Sequence, residues 1–203
     1  MLKPGWLTNL SFSEQLSAAR LGVISRLGVA VDSLPVAPAV DIYNGVLYKA
    51  LDYGSLTISL RQKANSRILI FSALFGAIRP LDEIPNYKVK IKTSEWSSVL
   101  PRALDGIESN LIVDCRSSTY ASAWKPNPQI TVGVRVFQEK LGKRSVITHM
   151  SKKFRGELAR KLISEKAPRT PAELLHVSGK YFHVELTEPV NQKPWHLDLI
   201  VRS

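Results

Sequence analysis

Residues 67–88, RILIFSALFGAIRPLDEIPNYK, decide how this chain is read. RILIF (67–71) is a run of apolar and β-branched residues with the composition of a buried strand. The chain must turn directly after it. Gly76 permits a tight backbone, Pro80 ends any short helix at Ile78 or Arg79, and Asp82, Pro85 and Asn86 favour an extended loop. Arg79 and Tyr87 are thereby fixed beyond a strand end, where ligand groups collect in α/β proteins. Two roles stand open for Arg79: a ligand-binding cation, or a structural one capping backbone carbonyls.

Working outward, Ser11–Glu14 has capping-box spacing, and Leu16, Ala19, Val23, Ile24 and Leu27 follow at helical intervals, which predicts a helix over 12–28. Pro35 and Pro38 break the chain into a connector. DIYNGVLYKALD (41–52) reads as a turn at Asn44-Gly45 and a short helix, with another helix over 55–64. KVKIK (88–92) alternates like a short strand, and 95–106 reads as a helix interrupted at Pro101. LIVDC (111–115) reads as a buried, central strand. Ser117 and Ser118 are N-cap residues for a helix over 119–124, stopped by Pro126. Residues 130–138 and 144–150 alternate around Leu141-Gly142-Lys143 as a hairpin. A helix spans 151–165, and Thr170–Glu173 forms a second capping box with proline at the first helical position. KYFHVELTE and WHLDLIVR close the chain as strands. The expectation is an α/β (α+β) single domain over 1–203, a mixed sheet flanked by helices.

Composition narrows the function. A chain of 203 residues, 44% hydrophobic, holds one domain or two at most with a substantial core. No apolar run reaches membrane-span length, and no signal-peptide pattern opens the sequence, so it reads as soluble and cytoplasmic. Cys115 is the only cysteine, so no intramolecular disulfide forms, and it reads as a small hydrophobe. The four histidines are scattered without zinc spacing, and neither metal nor cofactor is expected. There is no P-loop, no G-x-S-x-G and no H-E-x-x-H. Asp41 and Asp114 could act as acids or bases, but nothing pairs them. Whether the chain is an enzyme stays open.

Charge points to a partner. Lys and Arg number 28 against 17 acids, a net of +11. Residues 135–169 carry 11 Lys/Arg and three Glu, a net of +8, and residues 61–92 carry seven against two, a net of +5. Concentrated positive charge favours polyanions and speeds their encounter.

On helix 151–165, Phe154, Leu158, Ala159, Leu162 and Ile163 share an inward face, at about 100° per residue. Lys153, Glu157, Arg160 and Ser164 point outward. Arg155 falls inside the apolar arc and Lys152 at its edge, both near the helix start. Buried cations there call for an anion, whether a phosphate or carboxylate ligand or an internal acid such as Asp114. Three strand-to-helix junctions carry polar residues: Ser72, Arg116-Ser117 and Ser151-Lys152. Aligned in one sheet, they would line a basic cleft with Tyr87 and Tyr120, suited to sugar-phosphate or stacked bases. The candidate nucleic-acid or anion site is therefore Arg79, Tyr87, Arg116, Ser117, Tyr120, Lys152 and Arg155.

DIYNGVLYKALD, SALFGAIRPLDEIPNYK, LIVDCRSSTYASAW and THMSKKFRGELAR stand in the order and spacing of the YaaA family of peroxide-stress proteins, which the chain resembles over about residues 11–201. It is most similar to a shorter branch ending in a W-x-L-D-type strand, here Trp195–Asp198. The resemblance implies a cytosolic protein induced by hydrogen peroxide that lowers free iron and limits oxidative damage to DNA and protein. It also implies an unusual α/β fold with a positively charged cleft, a helix-hairpin-helix element and DNA binding, and basic residues in a cleft predict that such binding is non-sequence-specific. Carried onto matching positions, the motif residues are Tyr43, Gly45, Arg79, Pro80, Asp82, Tyr87, Ser117, Tyr120, Lys152, Arg155 and Gly156. Family members usually begin with a buried strand and a Pro-Ser/Ala-x-x-Lys/Thr turn. This chain starts after that point, and its Lys92–Trp96 region is shorter, so a cleft wall is missing or lies upstream of Met1. The other functional reading is an enzyme acting on a nucleobase, nucleoside or nucleotide. Direct iron binding is disfavoured by the scattered ligand residues.

Overall fold

Glycines and prolines set many of the element ends in the computed structural model, which describes residues 5–28, 30–147, 150–191 and 193–202. Helix α1 (Ser13–Leu27) stops at Gly28, whose left-handed backbone (φ 62°) returns its N–H to the last turn. Strand β1 (Val36–Pro38) runs into α2 (Ala39–Ile42), and Gly45 precedes α3 (Val46–Leu51). Then come α4 (Ile58–Arg67), β2 (Ile70–Ser72), β3 (Gly76–Ile78), β4 (Glu83–Pro85), α5 (Leu100–Leu104), β5 (Ile112–Asp114) and α6 (Ser118–Ala121). The chain continues through β6 (Thr131–Lys140), β7 (Lys143–Val146), α7 (Ser151–Ser164), α8 (Pro171–Gly179), β8 (His183–Thr187) and β9 (Trp195–Arg202). The mixed α/β class holds, with a five-stranded mixed sheet and flanking helices. The chain forms two compact units: the described residues of Met1–Tyr43, Gln62–Ile107 and Arg116–Lys125, and those of Asn44–Arg61, Glu108–Cys115 and Pro126–Ser203.

In the first unit, β2 and β3 form a tight antiparallel hairpin with Ser72 opposite Gly76. Leu74 and Phe75, in the turn, are fully buried with Ile78, Ile84 and Trp96. Each such side chain stabilises by about 1.5–3 kcal/mol. Gly76 has φ +73°, and a Cβ there would lie 2.6 Å from the Trp96 ring. Glycine is required on both counts. Trp96 fixes its ring by donating Nε1–H to the Ala73 carbonyl at 3.1 Å. Strands β1 and β4 pair antiparallel. Beneath the hairpin lies Arg20, with no exposed surface. It donates to the carbonyls of Phe75, Ser11 and Ala77 at 3.0, 2.7 and 3.0 Å. Burial lowers its pKa to about 10, against the opposing pull of Asp82.

In the second unit, β6 lies parallel to β9 along most of its length. On its other edge β5 pairs parallel with Thr131–Gly133, and β7 pairs antiparallel with Phe137–Lys140. Val132, Val134 and Val136 point into a core with Leu197 and Leu199, closed by Leu158 of α7 and Leu174 of α8. The alternate face carries Arg135, held by the buried Asp198 through two bonds of 2.6 and 2.7 Å. Leu141 and Gly142 both take positive φ (51° and 73°), the twist a two-residue hairpin needs. Thr170 caps α8, accepting Glu173 N–H at 3.1 Å.

Several expectations are corrected. No capping box forms at Ser11–Glu14. Phe12 occupies the cap with φ 60°, and Ser11 bonds Asp82 instead. Helix α4 consumes Arg67, so the strand is only Ile70–Ser72, and it pairs with β3 rather than joining the main sheet. The three strand ends proposed to share one sheet therefore do not. No helix precedes Pro80, because Gly76–Ile78 is extended against β2. KVKIK joins no ladder. Pro101 lies in the first turn of α5 and interrupts nothing. LIVDC is not central: β5 pairs only with β6 and is half-buried. Strand β7 ends at Val146, and Thr148 and His149 of the predicted 144–150 strand lie outside the described residues.

Candidate functional site

The first unit gathers hydroxyl groups from three of the four motifs. Ser72 ends β2 and is buried. Its Oγ accepts the backbone N–H of Phe75 at 2.9 Å and of Leu74 at 3.3 Å. Both lone pairs are then occupied, so the Ser72 hydrogen is directed to the Tyr87 oxygen 2.6 Å away. The Tyr87 hydroxyl also hydrogen-bonds the Tyr43 hydroxyl at 2.7 Å. The ring of Tyr87 stands edge-on to Phe75 (5.4 Å) and to Tyr43 (6.3 Å). Burial raises the Tyr87 pKa above the usual phenol value; the Ser72, Tyr43, Leu74 and Ala73 hydrogen bonds oppose the shift without reversing it. Tyr120 of α6 is raised too, first by burial and then by Tyr87. Both shifts favour the protonated phenols of Tyr87 and Tyr120. Ser72 was visible in the sequence only as a junction residue. The signal for its role is its place two residues before Leu74, where a serine oxygen can bond forward to the backbone.

Arg79 and Arg116 are tied to backbone. Arg79 donates Nη1–H to the Ser66 carbonyl at 2.7 Å, capping the end of α4, and lies over the Phe12 ring at 5.9 Å. The structural role left open for it is therefore occupied. Arg116 donates to the carbonyls of Trp124 (2.9 Å) and Tyr120 (3.4 Å). Its guanidinium lies 4.3 Å from the centre of the Phe71 ring, which stacks on Trp124 at 17°. Ser117 is the N-cap residue of α6 but makes no side-chain cap bond. Asp82 accepts Ser11 N–H and O–H and Arg79 N–H at 2.8–3.0 Å. It locks the N-terminal segment to the loop that Pro80 opens.

Lys152, Arg155 and Gly156 belong to the second unit. Lys152 is exposed, not set against the apolar face. Arg155 is half-buried, and its charge acts on the Cys115 thiol, as does that of Asp114. Burial, helped by Asp114 and opposed by Arg155, pushes that thiol up to about 12. Gly156 has a packing role: a Cβ there would lie 2.2 Å from the Leu47 carbonyl of α3. Gly45 shows no positive φ and no close neighbour. Arg160, expected on the solvated face, donates to the Leu51 and Asp52 carbonyls (2.9 and 2.6 Å) and to Ser55 Oγ (2.7 Å). Among the described residues no three His, Cys, Asp or Glu side chains converge as metal ligands, and no helix is long and apolar enough to cross a membrane.

A family model described as peroxide stress protein YaaA matches residues 8–187. The chain is 34% identical to a UPF0246 protein of Streptomyces coelicolor, over 82% of this chain and 69% of that one. It is 36% identical to one from Corynebacterium glutamicum, over 73% and 64%, and 30% identical to one from Shewanella baltica, over 87% and 74%. The chain thus spans 64% to 74% of the length of these relatives.

Proposed function

Because the chain belongs to the YaaA family of peroxide stress proteins, we propose that it is a cytoplasmic nucleic-acid-binding protein of the oxidative-stress response that limits iron-dependent damage to DNA. The observation that carries the reading is the net charge of +11, an excess the protein's own acids cannot neutralise. Phosphodiester backbones meet such a surface by releasing condensed counterions. The test is plasmid nicking by ferrous iron and hydrogen peroxide. Purified protein should slow nicking more than a basic control protein of similar net charge. Equal nicking with the two proteins contradicts the protective role.

A second reading, an enzyme acting on a nucleobase, nucleoside or nucleotide, draws on the Ser72–Tyr87–Tyr43 chain. A hydrogen-bonded run of hydroxyls is equipped to donate a proton or hold a carbonyl or phosphoryl oxygen. Incubation with a pool of nucleotides would reveal it: a consumed compound, spared by Tyr87→Phe, supports the enzyme. An unchanged pool removes this reading.

A further inference from the structure

We propose that Lys88, Lys90 and Lys92 form a rigid lysine row that contacts successive phosphates of a nucleic-acid strand. The inference rests on the nucleic-acid reading above and assigns it a surface.

The segment from Asn86 to Lys92 has strand-like alternation and no strand partner. Lys88, Lys90 and Lys92 are exposed, while Val89 and Ile91 between them are half-buried. Lys92 is extended (φ −109°, ψ 101°). A two-residue period in extended backbone puts all three lysines on one side, about 6.7 Å apart. That spacing is comparable to the separation of neighbouring phosphates along one strand. The alternation, without a ladder to serve, orients the lysines.

Both ends of the segment are anchored. Tyr87 is held by Ser72 and Tyr43. At the other end the chain turns at Thr93–Glu95, Glu95 pairs with Arg26, and Trp96 is fully buried. A row held at both ends loses little backbone freedom when a ligand docks.

The charge here is also unspent. Arg135 is paired with Asp198, Arg144 with Glu139 and Glu185, and Lys153 with Glu157. Arg79, Arg116 and Arg160 are committed to carbonyls. The side chains of Lys88, Lys90 and Lys92 make no ion pair or hydrogen bond among the described residues. The sequence cluster with the larger net charge is thus partly neutralised within the protein, and this row is not.

The test compares two triple variants of equal charge by fluorescence anisotropy with a short labelled DNA duplex across a salt series. One is Lys88→Ala/Lys90→Ala/Lys92→Ala. The other is Lys140→Ala/Lys143→Ala/Lys166→Ala, also at exposed positions. All six positions are on the surface, and melting temperatures check that both variants fold. The first variant should bind at least about tenfold more weakly near 100 mM salt, with a salt slope shallower by about 0.9 per lysine. The second should keep most of its affinity, and Lys→Arg at positions 88, 90 and 92 should restore the slope. If both triple variants weaken binding alike, or the first binds like the wild type, the row is not the contact. If the wild-type protein itself binds no DNA, the nucleic-acid reading falls and the row with it.

Discussion

Tyr87 links Ser72 to Tyr43 in the first unit, across 2.6 and 2.7 Å. Tyr87→Phe keeps the ring packing and removes the hydroxyl that bonds both Ser72 and Tyr43. Losing a buried hydroxyl bridge costs about 1–3 kcal/mol. A urea melt of the variant should shift to a lower midpoint with unchanged slope, and an unmoved midpoint would show the hydroxyl chain is not formed. Gly76 is less tolerant. A Cβ meets Trp96 and also faces a left-handed backbone, so Gly76→Ala should destabilise by about 2–4 kcal/mol. Gly76→Ala melting with the wild type would mean that the hairpin turn is built differently. The need for a glycine here was legible in the sequence, because the turn had to follow RILIF at once. The Trp96 ring behind it was not, since a contact twenty residues away leaves no local pattern.

At the scale of elements, periodicity foretold the long pieces. Helices α1 and α7, the β6–β7 hairpin and the closing strand β9 fall where spacing and turn residues put them. The failures share a cause: local patterns that tertiary partners overrode. Ser11 has cap chemistry, yet Asp82 offers it two bonds and wins. KVKIK has strand alternation, but no neighbour completes a ladder. Arg160 lies on the polar side of the α7 wheel, yet its length lets it reach the carbonyls that end α3. A wheel sorts faces and cannot show what a long cation reaches. Arg160→Ala should therefore destabilise by about 1–3 kcal/mol by leaving those carbonyls without their donor. Its melting temperature, set beside that of Lys161→Ala, checks this; equal values would make Arg160 an ordinary surface residue.

Across the whole molecule, charge and protonation set how the protein answers its surroundings. His196 sits on the polar face of the main sheet, where burial, then Arg135, hold its pKa below 6.5, with Asp198 opposing and Lys193 adding a smaller push in the same direction. The folded state thus resists protonating it. Its contribution to stability is complete above pH 6.5 and is lost as pH falls from there through the folded-state value. The melting temperature of His196→Asn should fall less steeply than that of the wild type over this range; parallel curves would assign the acid sensitivity to other groups. The candidate site was legible in part. Tyr43, Ser72 and Tyr87 do come together within the first unit, each at or just past an element end. Arg79 and Arg116, nominated by their places beyond strand ends, are held by carbonyls, and only coordinates distinguish a cation that serves the fold from one left for a partner. The central claim is that unneutralised positive charge binds nucleic acid. Its most direct measurement is the affinity of the wild-type protein for a labelled DNA duplex between about 50 and 200 mM salt. The expected result is a steep linear fall of log affinity with log salt concentration. Affinity that stays constant across that range, or no binding at its low end, would contradict it.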